Sequence, residues 1–205
     1  MGFWRRSSGP DADRTPGGDE PAPGSSCPGL SRALDRVFRR ERPRVLLLGP
    51  LCGASVVFLG ERGARVTVAE FDPPATAPPD AAEPPAPFGM VVETAAFDLV
   101  LAWDSLEFVP PERLREVGQE LRRVLRPGGI LFALMSLARE PTARVPARFR
   151  IVAEDRIVRE AAQHAEAARW PHANREIERA LDGIAVEGVH LQRDQVREIL
   201  AVRGG

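Results

Sequence analysis

Residues 45–72, VLLLGPLCGASVVFLGERGARVTVAEFD, decide how the chain is read. Val45 to Leu48 is a run of apolar residues, the pattern of a strand buried on both faces of a parallel sheet. Gly49 and Gly53 follow, and they allow a tight turn in which the backbone approaches a ligand with no Cβ between. Ala54 to Arg62 reads as a short helix ended by Gly63. Arg65 to Glu70 reads as a second strand ending in a carboxylate. Strand, glycine turn, helix and strand make the first βαβ unit of a nucleotide-binding α/β domain. In such a unit Glu70 is placed to accept hydrogen bonds from ribose hydroxyls.

The pattern extends in both directions. Residues 1–29 are rich in Gly, Pro, Ser and Asp and are expected to be a disordered extension, leaving 30–205 as the domain. Ser31 is placed to cap a helix through Arg40, with Leu34, Val37 and Phe38 as its apolar stripe. Pro43 stops that helix. Downstream, residues 73–87 read PPATAPPDAAEPPAP, which admits neither a regular helix nor a central strand. Phe88 to Val92 is a short strand candidate, and FDLVLAW (97–103) a clearer one. Pro111 starts a helix in which Leu114, Val117, Leu121, Val124 and Leu125 keep the helical period. Arg126-Pro127-Gly128-Gly129 is a sharp stop before a strand over Ile130 to Met135. Ala161 to Arg169 is expected to be helical. Asn174 is expected to cap a helix through Leu181, with Glu176 where a negative charge suits the helix dipole. Ile184 to Leu191 and Gln195 to Val202 read as an antiparallel hairpin turning at Arg193-Asp194.

Composition narrows the classes. A chain of 205 residues suits one well-buried domain. The formal net charge of -1 gives no general attraction to nucleic acid or to an anionic membrane, and neither is expected as a partner. Every basic residue is Arg, so no lysine base or Schiff base is available. Cys27 and Cys52 have no metal or redox spacing, and His164, His172 and His190 lack ligand spacing, so no metal is expected. A reducing cytoplasm is the expected location. No apolar run reaches the length of a membrane span, and Arg5 and Arg6 are not followed by a signal-peptide core.

With these elements in order, the chain resembles a class I S-adenosylmethionine-dependent methyltransferase. Three stretches carry the resemblance. One is the βαβ unit with Gly53, Gly63 and Glu70. Another is FDLVLAWDSLEFVP (97–110), similar to the family's fourth strand and the loop after it. The third is LRPGGILFAL (125–134), similar to its turn into strand five. The C-terminal helix and hairpin fit the family's last elements, where the final strand inserts antiparallel.

The resemblance implies an α/β three-layer sandwich, Rossmann-like, with a mostly parallel sheet and an antiparallel C-terminal hairpin strand. It implies S-adenosyl-L-methionine as cofactor and methyl transfer to a small molecule or a protein side chain. By position, Gly49 and Gly53 would run under the methionine half of the cofactor and Glu70 would hold the ribose hydroxyls. Ala102, Trp103 and Asp104 would line the pocket beside it. Glu107 matches an acidic position after strand four. No residue is assigned as a base, because aligning the nucleophile with the methyl group is itself effective catalysis.

Some residues depart from the family pattern. Leu47 stands where the family often has an acid near the cofactor's amino group, and one charge-assisted contact is worth about 1.5–3 kcal/mol. Leu51 replaces the middle glycine. The proline stretch replaces the helix after strand two, which leaves Glu93 as the candidate acid for the adenine amino group. These departures keep a second class open: a non-catalytic methyltransferase-like binding or regulatory protein. A nicotinamide-dependent oxidoreductase ranks third, because Gly49 and Gly53 lack the G-x-G-x-x-G order. Trp103 reads equally as an adenine-stacking ring or as filler at the sheet edge. No Asn-Pro-Pro-Tyr-type motif, Tyr or Lys is present, which argues against amino-methylating DNA enzymes and lysine-dependent ribose methyltransferases.

Overall fold

The computed structural model describes residues 24–72, 88–137, 140–163, 166–192 and 195–205. The first half of the chain runs β1 (Ser25–Ser26), α1 (Pro28–Val37), β2 (Arg44–Leu48), α2 (Gly53–Glu61), β3 (Arg65–Ala69) and β4 (Phe97–Trp103). Two 3-10 turns, Ser105–Phe108 and Pro111–Arg113, lead into α3 (Leu114–Val124) and β5 (Leu125–Ser136). Then come β6 (Thr142–Arg144), β7 (Ala147–Ala153), β8 (Arg156–Ala161), β9 (Ala167–Arg169), α4 (Asn174–Ala180), β10 (Ile184–Leu191) and β11 (Val196–Arg203).

The main sheet has the order β10-β11-β5-β4-β2-β3. Strands β2, β3, β4 and β5 are parallel. β11 runs antiparallel to both β5 and β10, so the last strand is slotted between its hairpin partner and the parallel set. Every residue of β4 is buried, which is why it reads as an unbroken apolar run rather than an alternation.

Successive side chains point to opposite faces, and the sheet sorts its apolar residues accordingly. Leu46, Leu48, Val100 and Ala102 meet Val117 and Leu121 of α3 and Ile177 and Ala180 of α4. Val45, Leu47, Leu99 and Leu101 meet Leu30, Leu34 and Val37 of α1 and Leu59 of α2. The result is the expected three-layer sandwich. α3 and α4 touch closely at Gly118, where an added Cβ would overlap the Ala180 carbonyl oxygen.

A second sheet, in the order β1-β8-β7, lies on the α1–α2 side, with Phe149, Ile151 and Ile157 in the core of that face. Ser55 of α2 pins it there. Its hydroxyl donates to the Phe149 carbonyl (2.8 Å) and accepts from the Ile151 N–H (2.9 Å).

Several local expectations are corrected. Ala161 to Arg169 is not a helix: β8 ends at Ala161 and β9 occupies Ala167–Arg169, with 164 and 165 outside the described residues. Ala161 pairs with Ala147 of β7 and Ala167–Arg169 pairs with β6, and these ladders override the helix preference of the alanines. Phe88 to Val92 is not a strand. The Phe88 and Met90 N–H groups bond to the carboxylates of Glu116 and Glu120, and Arg123 binds the Met90 and Val92 carbonyls. Side chains of α3 thus take the bonds a neighbouring strand would have supplied. Residues 126–129 do not stop the chain before a strand. They form a bulge inside β5, between Phe97↔Leu125 and Leu99↔Ile130, with Gly128 at φ +72°.

Helix α1 starts at Pro28, ahead of Ser31, because Pro suits a first helical position. Of the segment read as disordered, 1–23 lies outside the described residues. Residues 24–29 are folded: Ser25 and Ser26 pair with β8, and Cys27 is fully buried. Ala173, not Asn174, caps α4, and its N–H donates to the Glu176 carboxylate (2.7 Å). The proline stretch 73–87 and the turn at Arg193-Asp194 lie outside the described residues.

Candidate functional site

The parallel strands end together, and their carboxyl ends form the site. β2 and β3 finish side by side, tied by the Gly49 N–H donating to the Ala69 carbonyl (3.2 Å). Gly49 has φ +103°, a conformation that L side chains rarely adopt. Glu70 follows Ala69 directly, so the glycine turn and this carboxylate are neighbours. Glu70 is exposed and makes no hydrogen bond or ion pair among the described residues. Gly53 opens α2, and a Cβ added there would meet nothing within 4 Å. The N-terminus of α2 has no side-chain cap, and it carries the partial positive charge of a helix start. Leu51, 58% exposed, stands over the turn. Leu47 is packed in the α1–α2 core, so nothing at position 47 reaches the turn.

The loop after β4 closes the other side. Trp103 has φ +45°, and this reversal sends Asp104 and Ser105 across the strand ends. The Ser105 hydroxyl lies 3.1 Å from the ideal Cβ position of Gly49, so the two loops touch. The Ala102 side chain points into the α3–α4 core. The Trp103 ring points the other way, stacked on Phe149 (centroids 5.2 Å apart, planes at 12°) and edge-on to Phe132 (6.2 Å, 84°). Its partner is therefore the β7–β8 hairpin.

Asp104 and Glu107 are both buried, and each has a cation. One Asp104 oxygen accepts from the Ala147 N–H (3.3 Å) and from Arg159 (3.2 Å). Burial pushes the Asp104 carboxyl up to about 6; Arg159 pulls against this, and the negative charge of Glu107 adds to it. Glu107 accepts the Ser136 N–H at the end of β5 and lies 3.7 Å from Arg169. Arg197 donates to the carbonyls of His172 (2.8 Å) and Ser136 (3.3 Å) and to the Asn174 side chain. His172 shares a hydrogen bond with the Val109 carbonyl (3.0 Å), and burial holds its pKa below the usual histidine value.

Sequence reasoning missed Arg144, Arg159, Arg169 and Arg197. One signal existed for Arg159. A strand reading of 156–161 pairs it directly with Phe149, and puts it on the face that meets Asp104.

The structure thus brings Gly49, Gly53 and Glu70 together, and places Trp103 and Asp104 beside them through Ser105. Glu93 is elsewhere. It pairs with Arg44 (2.6 Å), whose charge and hydrogen bond hold its carboxyl below the usual range. Arg44 begins β2, and β2 ends at the turn about 13 Å away at strand rise. Glu93 therefore cannot meet an adenine bound at the carboxyl ends.

Residues 46–133 match the family model of a methyltransferase domain. The fold is similar to that of an SAM-dependent methyltransferase from Methanosarcina mazei (13% identity, TM-score 0.57, 83% of this chain and 97% of that one). It is also similar to an S-adenosylmethionine dependent methyltransferase from Mesorhizobium loti (17%, 0.56, 86% and 96%). A third similar structure is 1,6-didemethyltoxoflavin-N1-methyltransferase from Burkholderia thailandensis (14%, 0.52, 86% and 79%), solved with 1,6-didemethyltoxoflavin and S-adenosylhomocysteine bound. No curated protein matches the sequence. At these identities the structural likeness shows a shared fold.

Proposed function

We infer that this chain, whose residues 46–133 form a methyltransferase domain of the class I, S-adenosylmethionine-dependent kind, binds S-adenosyl-L-methionine at the Gly49–Gly53 turn and passes its methyl group to an acceptor beside Asp104. One observation carries this reading. A glycine turn at φ +103° and an unpartnered carboxylate, Glu70, meet at the carboxyl ends of β2 and β3. Open α/β sheets bind nucleotide-like ligands at that edge.

The residues present suit the cofactor. Glu70 accepts hydrogen bonds from two ribose hydroxyls. Gly49 and Gly53 leave room for the methionine half, which no Cβ obstructs at Gly53. Ala102, Trp103 and Asp104 contribute main chain along the end of β4. The bound cofactor supplies an electrophilic methyl group. The chain binds and orients, and the Trp103–Phe149 stack seals the wall towards the β7–β8 hairpin. Among the described residues no helix is long and apolar enough to cross a membrane. The free, buried Cys27 and Cys52 suit a reducing compartment, and we place the protein in the cytoplasm.

Calorimetry with S-adenosylmethionine, S-adenosylhomocysteine and NAD tests the reading. The first two are expected to bind in the micromolar range and NAD to give no heat. Absence of heat with both sulfur ligands would sink it. Glu70→Ala is expected to weaken binding about tenfold to a hundred-and-fiftyfold, the value of a charge-assisted contact. Unchanged affinity would remove Glu70 from the ribose.

A second reading, binding without catalysis, is favoured by Leu47 being sealed in the core and by Asp104 being engaged with Arg159. It predicts that S-adenosylhomocysteine binds and that no small-molecule acceptor consumes S-adenosylmethionine.

A further inference from the structure

A pocket of about 70 Å³ lies between the ends of β4 and β5 and the β7–β8 hairpin, lined by Asp104, Glu107, Met135, Arg144, Phe149 and Arg159 among others. That is room on the order of two waters, enough for a carboxylate on a short stem. Met135 and Phe149, with Leu134, Ile157 and Val196, give it an apolar side, and the charged groups share the rest with neutral polar side chains.

The charges do not cancel. Asp104 has Arg159 at 3.2 Å, and Glu107 has Arg169 at 3.7 Å. Arg144 comes from β6, is exposed, and its guanidinium makes no hydrogen bond or ion pair among the described residues. Arg144 and Arg159 line the pocket with the two carboxylates, and Arg169 and Arg197 stand behind Glu107, so positive charge is in excess and Arg144 is the lining cation without an ion-pair partner among the described residues. Partial desolvation, and then repulsion from Arg159 and Arg169, outweigh the attraction of Glu107 and Asp104 and hold its pKa below the ordinary arginine value. A cation so placed is stabilised by any anion that joins it. The chain links the pocket to the glycine turn: Asp104 lines the pocket, and the hydroxyl of Ser105, the next residue, lies 3.1 Å from the ideal Cβ position of Gly49.

We propose that this pocket seats the carboxylate of a small organic acid, with Arg144 as the binding cation and Met135 and Phe149 against its apolar stem. That the acid is the methyl acceptor rests on the methyl-transfer reading; the anion site itself rests on the pocket alone. A monoanion on an apolar stem also uses the Met135 and Phe149 side of the pocket, which phosphate cannot. A phosphate, near two negative charges, would be repelled by Asp104 and Glu107.

The test is calorimetry on the full chain, free and saturated with S-adenosylhomocysteine, with phenylacetate (carboxylate and methylene in the pocket, ring outside it), its neutral amide and inorganic phosphate as probes. Phenylacetate is expected to bind, and its amide about tenfold more weakly or worse. Phosphate is expected to bind more weakly than phenylacetate. Arg144→Gln is expected to weaken phenylacetate about tenfold or more, and Arg144→Lys to restore most of the loss. Equal binding of acid and amide, tighter binding of phosphate, or indifference to Arg144→Gln would overturn the proposal. Phenylacetate binding without S-adenosylhomocysteine binding keeps the anion site and removes the methyl-transfer reading. S-adenosylhomocysteine binding without phenylacetate binding does the reverse.

Discussion

Replacing glycine by alanine inside a helix ordinarily stabilises it, by about 1 kcal/mol at most. Two glycines of this chain are expected to respond with opposite signs. Gly60 lies in α2 on an exposed face, and an added Cβ would meet nothing within 4 Å. Gly60→Ala is therefore expected to raise Tm by a few degrees, since about 1 kcal/mol moves a domain of this size by about 2–4 °C. Gly118 lies buried in α3 against the end of α4. There the new Cβ would overlap the Ala180 carbonyl oxygen and come within 2.7 Å of its carbon, where ordinary contact begins at 3.4 Å. The obstacle is backbone, so no rotamer change relieves it. The last turn of α4 must retreat by an ångström or more, which opens the contact of Val117 and Leu121 with Ile177, Ala180 and Leu181. Overpacking costs about 1–3 kcal/mol, and an overlap this deep with backbone falls in the upper part of that range, about 2–3 kcal/mol, more than the helix preference offsets. The net loss is about 1–2 kcal/mol, or about 2–8 °C in Tm. Thermal melts of both variants beside the parent decide the matter. A Gly118→Ala protein that melts at or above the parent refutes the packing of α3 on α4. A Gly60→Ala protein that melts lower refutes the open surface assigned to α2.

The remaining predictions concern the site. Asp104 titrates at about 6 in the folded chain against 3.8 when exposed, so the folded state holds its proton more tightly. Its contribution to stability therefore falls as pH rises from about 4 to about 6, by about 3 kcal/mol in all, and stays lower above. Asp104→Asn is expected to remove that fall. Denaturant titrations at acidic and neutral pH that show the same change in variant and parent would contradict a buried, proton-seeking carboxyl. Gly49→Ala would force a Cβ into a φ of +103° and within 3.1 Å of the Ser105 hydroxyl, a strain of about 1–3 kcal/mol. Its expected outcome is a lower Tm together with weaker S-adenosylhomocysteine binding. If the variant melts and binds like the parent, the turn does not have this geometry.

Much of the architecture was legible in local signals. The apolar run Val45 to Leu48, the helix after Gly53 and the strand ending before Glu70 fold as the pattern requires. The C-terminal hairpin is equally direct, because two apolar runs with a short polar break have few other ways to bury themselves. Errors fell where the local signal was weak or misleading. The alanines of 161–169 favour a helix, yet strand pairing with β7 and β6 claims the ends of that stretch. Phe88 to Val92 has strand-like residues but lies under the carboxylates of α3. Glu93 was an acid in the correct part of the sequence but at the wrong end of the sheet.

The sequence by itself determined the sheet, its glycine turn and the acid beside it. Hydrophobic period, a glycine after a strand and a carboxylate at a strand end all act within a few residues, where chain connectivity already sets the geometry. Only the tertiary structure decided what surrounds Asp104. Arg159 reaches it across 55 positions, and Phe149 reaches the Trp103 ring from the same hairpin. Burial then makes those meetings strong, because charges removed from water interact at low dielectric with whatever the fold has placed beside them. No spacing along the chain encodes that choice of neighbours; the docking of β7 and β8 on α2 does.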